Sequence, residues 1–273
     1  MRISSAIEPG AGTRPRYTVA TLVNDEVQYL AMLSAFRAGG LAEPDVEFLA
    51  ARGATSAFEA LNALLSVARG EMIILCHQDV RLLADGRNAL DRRLGELDDA
   101  DPHWALAGNA GGVAPGRLAM SITDPHGTDR RIGTLPARVM SLDENFIVVR
   151  ASAGLRFSRD LTGFHLYGAD ICLVADMLGW SAWVIDFHLE HLSPGRKDAS
   201  FSESEHRFRA KWSHALRPRW MQTTCTLLRL SGNPLGRTLG WLQEGPVRGI
   251  VRRLPRSKAH STPLSRLPAR RPG

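Results

Sequence analysis

Apolar and polar positions alternate along the first eighty residues in blocks of strand length and helix length. Residues 17–23 (Tyr-Thr-Val-Ala-Thr-Leu-Val) are apolar and β-branched, which predicts a strand. Asn24, Asp25 and Glu26 follow, where either of the first two can cap a helix and acids favour its first turn. Val27, Leu30, Met32, Leu33 and Phe36 give that helix an apolar face, and Gly39-Gly40 ends it. Residues 46–50 read as a second strand. A second helix is expected from about 56 to 68, with Phe58, Leu61, Leu64, Leu65 and Val67 inward and Gly70 as its stop. Residues 73–76 are four apolar residues in a row, and the polar group His77-Gln78-Asp79 follows at the carboxyl end of that strand. Three strands separated by two helices at this spacing imply parallel pairing through right-handed crossovers. Ligands in open α/β sheets bind outside the carboxyl ends of the strands. Taken alone, however, Asp79 reads first as a turn residue.

The remaining pattern predicts a surface helix over 90–97 and a strand over 104–108 that opens into a flexible Asn109-Ala110-Gly111-Gly112. The Asp, Pro, His, Gly, Thr and Arg content of 121–136 predicts a surface hairpin or mobile loop. A strand over 146–149 follows Asp143 and Glu144, a helix covers 170–177, and a strand over 183–185 leads to His188, Glu190 and His191. Residues 195–202 are polar and expected to be mobile, 203–212 helical, and 221–230 a last apolar element packing on the body.

Composition changes this picture at the two ends. Of 34 Lys and Arg, nine lie from Leu235 onward, against one of the 28 acids. The net charge of +6 therefore belongs to a basic, Pro- and Arg-rich tail over 235–273, and the rest of the chain is close to neutral. That body carries no footprint of a nucleic-acid-binding domain. The tail is expected to be disordered. It reads either as solvated chain or as an attraction to anionic lipid headgroups, with an amphipathic stretch from Leu239 to Leu254 interrupted at Gly245-Pro246. Residues 1–16 lack the apolar core of a signal peptide and are expected to be a disordered leader. No apolar run approaches the roughly 20 residues that span a bilayer. Cys76, Cys172 and Cys225 are far apart and form no CxxC pair, which fits buried thiols in a reducing cytoplasm. The chain length suits one large α/β domain or two small ones, and the pattern places one domain over 17–234.

Three segments together carry a resemblance. They are Asn62 with Ala68-Arg69-Gly70-Glu71 leading to His77-Gln78-Asp79-Val80, then residues 161–170 (Leu-Thr-Gly-Phe-His-Leu-Tyr-Gly-Ala-Asp), then Val184-Ile185-Asp186 leading to His191-Leu192-Ser193-Pro194-Gly195. In order and spacing the chain resembles family 2 glycosyltransferases of the GT-A fold, in the bacterial branch whose metal motif reads HQD. The resemblance implies a Rossmann-like, mostly parallel central sheet with helices on both faces. It also implies a metal-dependent, inverting transfer of a sugar from a nucleotide-diphosphate-sugar to an acceptor hydroxyl. The acceptor would be a glycan, a lipid-linked or a small molecule.

On that resemblance Asp79 binds a divalent ion, Mn2+ or Mg2+, together with His191, with His188 competing for the second place. Gln78 stands where the family usually has a carboxylate facing the ribose. Thr21, Val23, Asn24, Arg52, Asn62, His77 and Gln78 are the nucleotide-sugar candidates, and Asp170 is the acceptor base. Asp143, Glu144, Gly163, His165, Tyr167 and Lys211 are candidates for contact with the acceptor or donor sugar. A hard cation suits the reaction because cleaving the sugar–phosphate bond leaves negative charge on the diphosphate. Val23 replaces the family's aromatic that stacks on uracil, and Ala51-Arg52 replaces the acid that pairs with it. The nucleotide therefore stays open. Two other readings remain: a glycosyltransferase-like binding protein without turnover, and a sugar-phosphate nucleotidyltransferase. The acidic turn after the first strand weighs against the latter. The expected setting is the cytoplasm, with a peripheral contact at the inner membrane face if the tail binds lipid.

Overall fold

Tyr17–Val23, expected as the first strand, is the second in the chain. Within the leader expected to be disordered, Arg2–Ser5 (β1) already form a strand, and Tyr17–Val23 (β2), Glu26–Ala38 (α1), Val46–Arg52 (β3), Ala57–Val67 (α2) and Met72–His77 (β4) follow. This structure, a computed structural model, describes residues 1–5, 14–195, 198–222 and 227–231, with residues 233, 235, 242 and 246. Most of the amphipathic stretch and of the basic tail, and Cys225, lie outside the described residues. Met1–Arg209 form one compact unit, ending before the boundary read at 234, and the chain from Ala210 belongs to a second.

The remaining elements of the first unit are Val80–Leu82 (β5), Arg87–Ala100 (α3), Trp104–Gly108 (β6), Ala110–Ala114 (β7), Arg117–Asp124 (β8), Gly127–Ile132 (β9), Ala137–Val139 (β10), Ser141–Leu142 (β11), Phe146–Arg150 (β12), Tyr167–Met177 (α4), Ser181–Val184 (β13) and Leu189–His191 (β14). A further helix, Ala199–Ala215 (α5), runs to the end of this unit and beyond. In the second unit the apolar element expected over 221–230 is a hairpin, Arg219–Gln222 (β15) paired antiparallel with Leu227–Leu230 (β16).

The main sheet has the order β1-β3-β2-β4-β12-β6-β13-β10. β3, β2 and β4 are parallel neighbours, as the strand–helix–strand spacing requires. β12 runs antiparallel to both β4 and β6, β13 is again parallel to β6, and β1 and β10 are antiparallel edges. Five of the eight strands thus run one way, and the α/β, mostly parallel architecture is the one expected. Alternate residues of the central strands feed opposite faces. Met72, Ile74 and Cys76 of β4 join one core with α1 and α3, while Ile73 and Leu75 join the other with α2 and α4. The strict period of two is why a continuous apolar run marks a strand covered on both sides.

The helix faces differ from expectation in detail. Tyr29, Met32, Leu33 and Phe36 of α1 are buried, whereas Val27 and Leu30 face outward at 76% and 61% exposure. Val67 of α2 is likewise exposed. Asp25 caps α1, accepting from the backbone N–H groups of Val27 (2.9 Å) and Gln28 (3.1 Å). Helix α3 lies at the surface but buries Leu90, Leu94 and Leu97 completely. In the segment 109–112, expected to be flexible, residues 110–112 begin β7 in a second, six-stranded sheet of order β11-β7-β8-β14-β5 with β9 on β8. Its glycines are explained by packing, because a Cβ on Gly111 would lie 2.3 Å from the Ser141 carbonyl oxygen. Segment 121–136 contains a hairpin, with β9 returning on β8. Gly70 does not cap α2, whose C-cap is Ala68. It sits where a Cβ would meet the Thr18 backbone nitrogen at 2.4 Å.

This second sheet positions the site. β14 pairs with β5 in the register His191↔Val80, which carries His191 back beside the end of β4.

Candidate functional site

A cavity of about 610 Å³ opens at the carboxyl ends of the parallel strands, lined by Leu22, Val23, Asn24, Gly53, Ala54, His77, Gln78, Asp79, Phe164 and Tyr167. Its floor comes from β2 and β4, its rim from the turn after β3, and its far wall from the segment entering α4. Leu166 at that entry has φ +65° and ψ +13°, a left-handed conformation that costs a branched residue about 1–2 kcal/mol. The turn aims Tyr167 down into the cavity, where Phe58 and Phe157 meet its ring edge-on at 6.4 and 5.9 Å between centroids.

His77, Asp79 and His191 offer one donor atom each, all within 4.8 Å of one another. His77 Nδ1 lies 3.3 Å from His191 Nε2 and 4.0 Å from Asp79 Oδ1, and His191 Nε2 lies 3.4 Å from that oxygen. Two donors about 2.1 Å from one ion stand about 3.0 Å apart at a right angle and about 3.4 Å apart at a tetrahedral angle. The two contacts of His191 match these spacings, and the His77–Asp79 pair at 4.0 Å is wider, so the triad could hold one cation with a small approach of His77 and Asp79. Its protonation states also suit one. Burial would raise the Asp79 carboxyl, but the hydrogen bond and charge of His191, helped by Ser193 and His77, hold it well below the usual carboxylate range. Burial, reinforced by the neighbouring His191, lowers the His77 imidazole against the pull of Asp79 and Asp143. A divalent ion requires an ionised carboxylate and neutral imidazoles, so its charge would stand in place of a protonated His191 beside Asp79.

The structure separates the two histidines that competed for the metal. His191 joins the triad, and Ser193 Oγ stands 3.2 Å from its Nε2. His188 is turned into the second sheet, against Ser121 (3.3 Å) and Thr123 (3.0 Å). His77, expected among the nucleotide contacts, lines the cavity and also stands with Asp79 and His191. The HxD spacing at a strand end was the available signal, because residues two apart on a strand face the same way.

The other expected contacts divide. Val23, Asn24 and Gln78 line the cavity. Gln78 Oε1 accepts from the backbone N–H groups of Asn24 (2.9 Å) and Asp25 (3.0 Å), and its Nε2 donates to Asn24 Oδ1. Thr21 is fully buried, with its hydroxyl 3.7 Å from Met32 Sδ, and is part of the core. Arg52 is paired with Glu26, donates to Ser4 Oγ at 2.7 Å, and stands over the Tyr29 ring. Asn62 clamps Phe157, donating to its carbonyl at 3.0 Å and accepting from its N–H at 2.9 Å, which explains its place in the pattern as bracing between α2 and the segment before α4. Gly163 (φ +98°) receives the first helical N–H of α2, from Ala57, on its carbonyl. His165 packs edge-on against Phe201 and lies 3.2 Å from Ser200 Oγ, away from the cavity lining. Lys211 belongs to the second unit, its Nζ 5.5 Å from the Trp212 ring centroid.

Asp170, expected as the acceptor base, lies at the start of α4. It has no exposed surface and accepts from the Ser158 N–H (2.8 Å) and Ser158 Oγ (2.7 Å), so its carboxylate is committed within the protein and does not line the cavity. Helix position alone could not reveal this, because an acid in the first turn faces inward or outward with a rotation of one residue. Asp143, by contrast, is exposed, caps Asn145 N–H at 3.0 Å and acts electrostatically on both His77 and Tyr167. Glu144 accepts from Gly168 N–H at 3.2 Å at the start of α4, and burial pushes its carboxyl up to about 8, with Asp143 adding to the rise. Phe164, Gly53 and Ala54 line the cavity and carried no signal in the sequence beyond their place after strands and before α4.

No family model matches the chain. The chain is 38% identical over 216 residues to the protein described as ATP synthase subunits region ORF 6 of Fuscovulum blasticum, covering 75% of this chain and 84% of that one, and it belongs to the same family. Among solved structures, the mannosyltransferase PcManGT from Pyrobaculum calidifontis, in complex with GDP-Man and Mn2+, is similar with a TM-score of 0.47 and 16% identity, over 77% of this chain and 68% of that one. TarS 1-349 of S. aureus, in complex with UDP-GlcNAc, is similar with a TM-score of 0.49 and 10% identity, over 74% and 67%.

Proposed function

We propose that the protein is a metal-dependent glycosyltransferase of the family 2, GT-A type that uses a nucleotide-diphosphate-sugar. The observation that carries this reading is the triad of His77, Asp79 and His191 beside a cavity at the carboxyl ends of parallel strands. Asp79 and the two histidines hold the cation, Mn2+ in preference to Mg2+ because two donors are nitrogen. Bound there, the ion neutralises the charge that develops on the leaving diphosphate. Asn24 and Val23 meet the nucleoside side, and Gln78 serves it indirectly by fixing the turn after β2. Phe164 and Tyr167 form the wall toward the sugar. Asp170 and Asp143 are the two candidates for the acceptor's base: the first is buried on Ser158, and the second is exposed and acts electrostatically on His77 and Tyr167. The base and the sugar stay open, since Arg52 at the end of β3 is held by Glu26 and offers no acid for uracil.

The buried Asp170 favours a second reading, a nucleotide-sugar-binding protein without turnover. A thermal-shift screen of nucleoside diphosphates and their sugars, with and without Mn2+, tests binding. Slow donor hydrolysis that needs both Mn2+ and Asp143 would favour the enzyme over the binding protein. No shift with any nucleotide, with or without Mn2+, would overturn both.

A further inference from the structure

Tyr167 is placed at the metal-type cluster in a way that the reading above does not use. Its hydroxyl lies 2.8 Å from His77 Nε2 and 3.2 Å from the Glu144 carbonyl oxygen. A carbonyl can only accept, and a phenol has one proton to give. When that proton goes to Glu144, the contact to His77 must be made by a hydrogen on Nε2, and Nδ1 is left bare. Nδ1 is the nitrogen that stands 3.3 Å from His191 Nε2 and 4.0 Å from Asp79 Oδ1.

We propose that Tyr167 is a positioning residue that holds His77 in the Nε2-protonated tautomer, so that His77 Nδ1 serves as a third protein ligand beside Asp79 and His191. The proposal rests on the reading that a divalent cation sits at this triad. The partner of a ligating histidine's second nitrogen fixes ring orientation and donor strength. Here that partner is anchored on three sides: by the Leu166 turn, by Phe58 and Phe157 against its ring, and by the carbonyl of Glu144. The consequence is metal choice. With His77 ligating, the set is two imidazoles and one carboxylate, which favours Mn2+, Fe2+, Co2+ or Zn2+ over Mg2+. With His77 turned away, one imidazole and one carboxylate remain and the preference narrows.

Tyr167→Phe removes the hydroxyl and keeps the ring that packs on Phe58 and Phe157, and a thermal unfolding scan confirms that the fold survives. Calorimetric titration of the full chain with Mn2+ and, separately, Mg2+ is expected to show Mn2+ affinity about 10- to 100-fold weaker in Tyr167→Phe. Mg2+ affinity should change much less. His77→Ala should lose at least as much Mn2+ affinity, and adding Tyr167→Phe to it should lose nothing more, as required of two residues acting through one bond. Unchanged Mn2+ affinity in Tyr167→Phe, or losses that add in the double variant, would overturn the role of Tyr167 while leaving the metal site standing. A wild-type chain that binds no divalent cation would overturn the metal site itself and this proposal with it. In the unaltered protein, 15N NMR of labelled histidines with Zn2+ reads the tautomer directly: Nε2–H at His77 supports the proposal and Nδ1–H refutes it.

Discussion

Gln78 and Asn24, 54 residues apart in sequence, are joined by three hydrogen bonds that involve Asp25 as well, two accepted by the Gln78 carbonyl and one donated by its amide. The turn after β2 is thereby tied to the end of β4. An aspartate at 78 could accept the two backbone N–H groups but could not donate to Asn24. The glutamine in place of a first carboxylate is therefore a structural choice as well as a loss of charge. Gln78→Ala should lower stability by about 1–2 kcal/mol and the melting temperature by a few degrees for a chain of this size. Nucleoside-diphosphate affinity should fall with it. A thermal scan with and without nucleotide measures both.

Asp143→Asn and Asp170→Asn should separate chemistry from structure. If Asp143 is the base, its amide variant should lose about 10²–10⁴ in turnover at unchanged donor affinity. Asp170→Asn leaves only one good acceptor for the two Ser158 donors, and its main effect should be a loss of about 1–3 kcal/mol in stability. Donor hydrolysis and chemical denaturation of the two variants, compared side by side, check this.

Gly168→Ala should disturb the cavity from behind. A Cβ there would stand 2.4 Å from the Leu142 carbonyl oxygen and 3.1 Å from Glu144 Cγ. The first turn of α4 must shift, carrying Tyr167 with it, and overpacking of this kind costs about 1–3 kcal/mol. Both stability and Mn2+ affinity should fall, as calorimetry would show.

Glu144 gives a pH signature. Its carboxyl is raised from 4.5 to about 8, mainly by burial. Between those values the unfolded chain releases a proton that the folded chain keeps, so this group's contribution to stability declines as pH rises through about 8. Below pH 4.5 the contribution is fully present. Denaturation of wild type and Glu144→Gln across pH 5–9 should show the wild type losing ground to the variant as pH increases.

The strands and crossovers were legible because continuous apolar runs flanked by helical faces leave few alternatives. That Asp79 and His191 come together was legible through the order of three segments. What was hidden is tertiary. Val27 and Leu30 fit the helical period, yet α1 turns Tyr29 inward in their place. Asn109 to Gly112 looked like a flexible run because glycine marks both loops and close approaches, and here Ser141 packs on β7. Asp170 and Asn62 sit in the expected pattern but spend their polar atoms on Ser158 and Phe157, partners the sequence does not point to. His77 became a metal-type donor only because β14 brings His191 beside β5.

The central claim is that Asp79, His77 and His191 hold a cation that in turn holds a nucleotide's diphosphate. Isothermal titration of a nucleoside diphosphate into the full chain, with Mn2+ and then with a chelator, tests it most directly when repeated on Asp79→Ala. The account predicts binding that requires Mn2+ in the wild type and is abolished in Asp79→Ala. Equal binding by the two proteins, or binding indifferent to Mn2+, would contradict it.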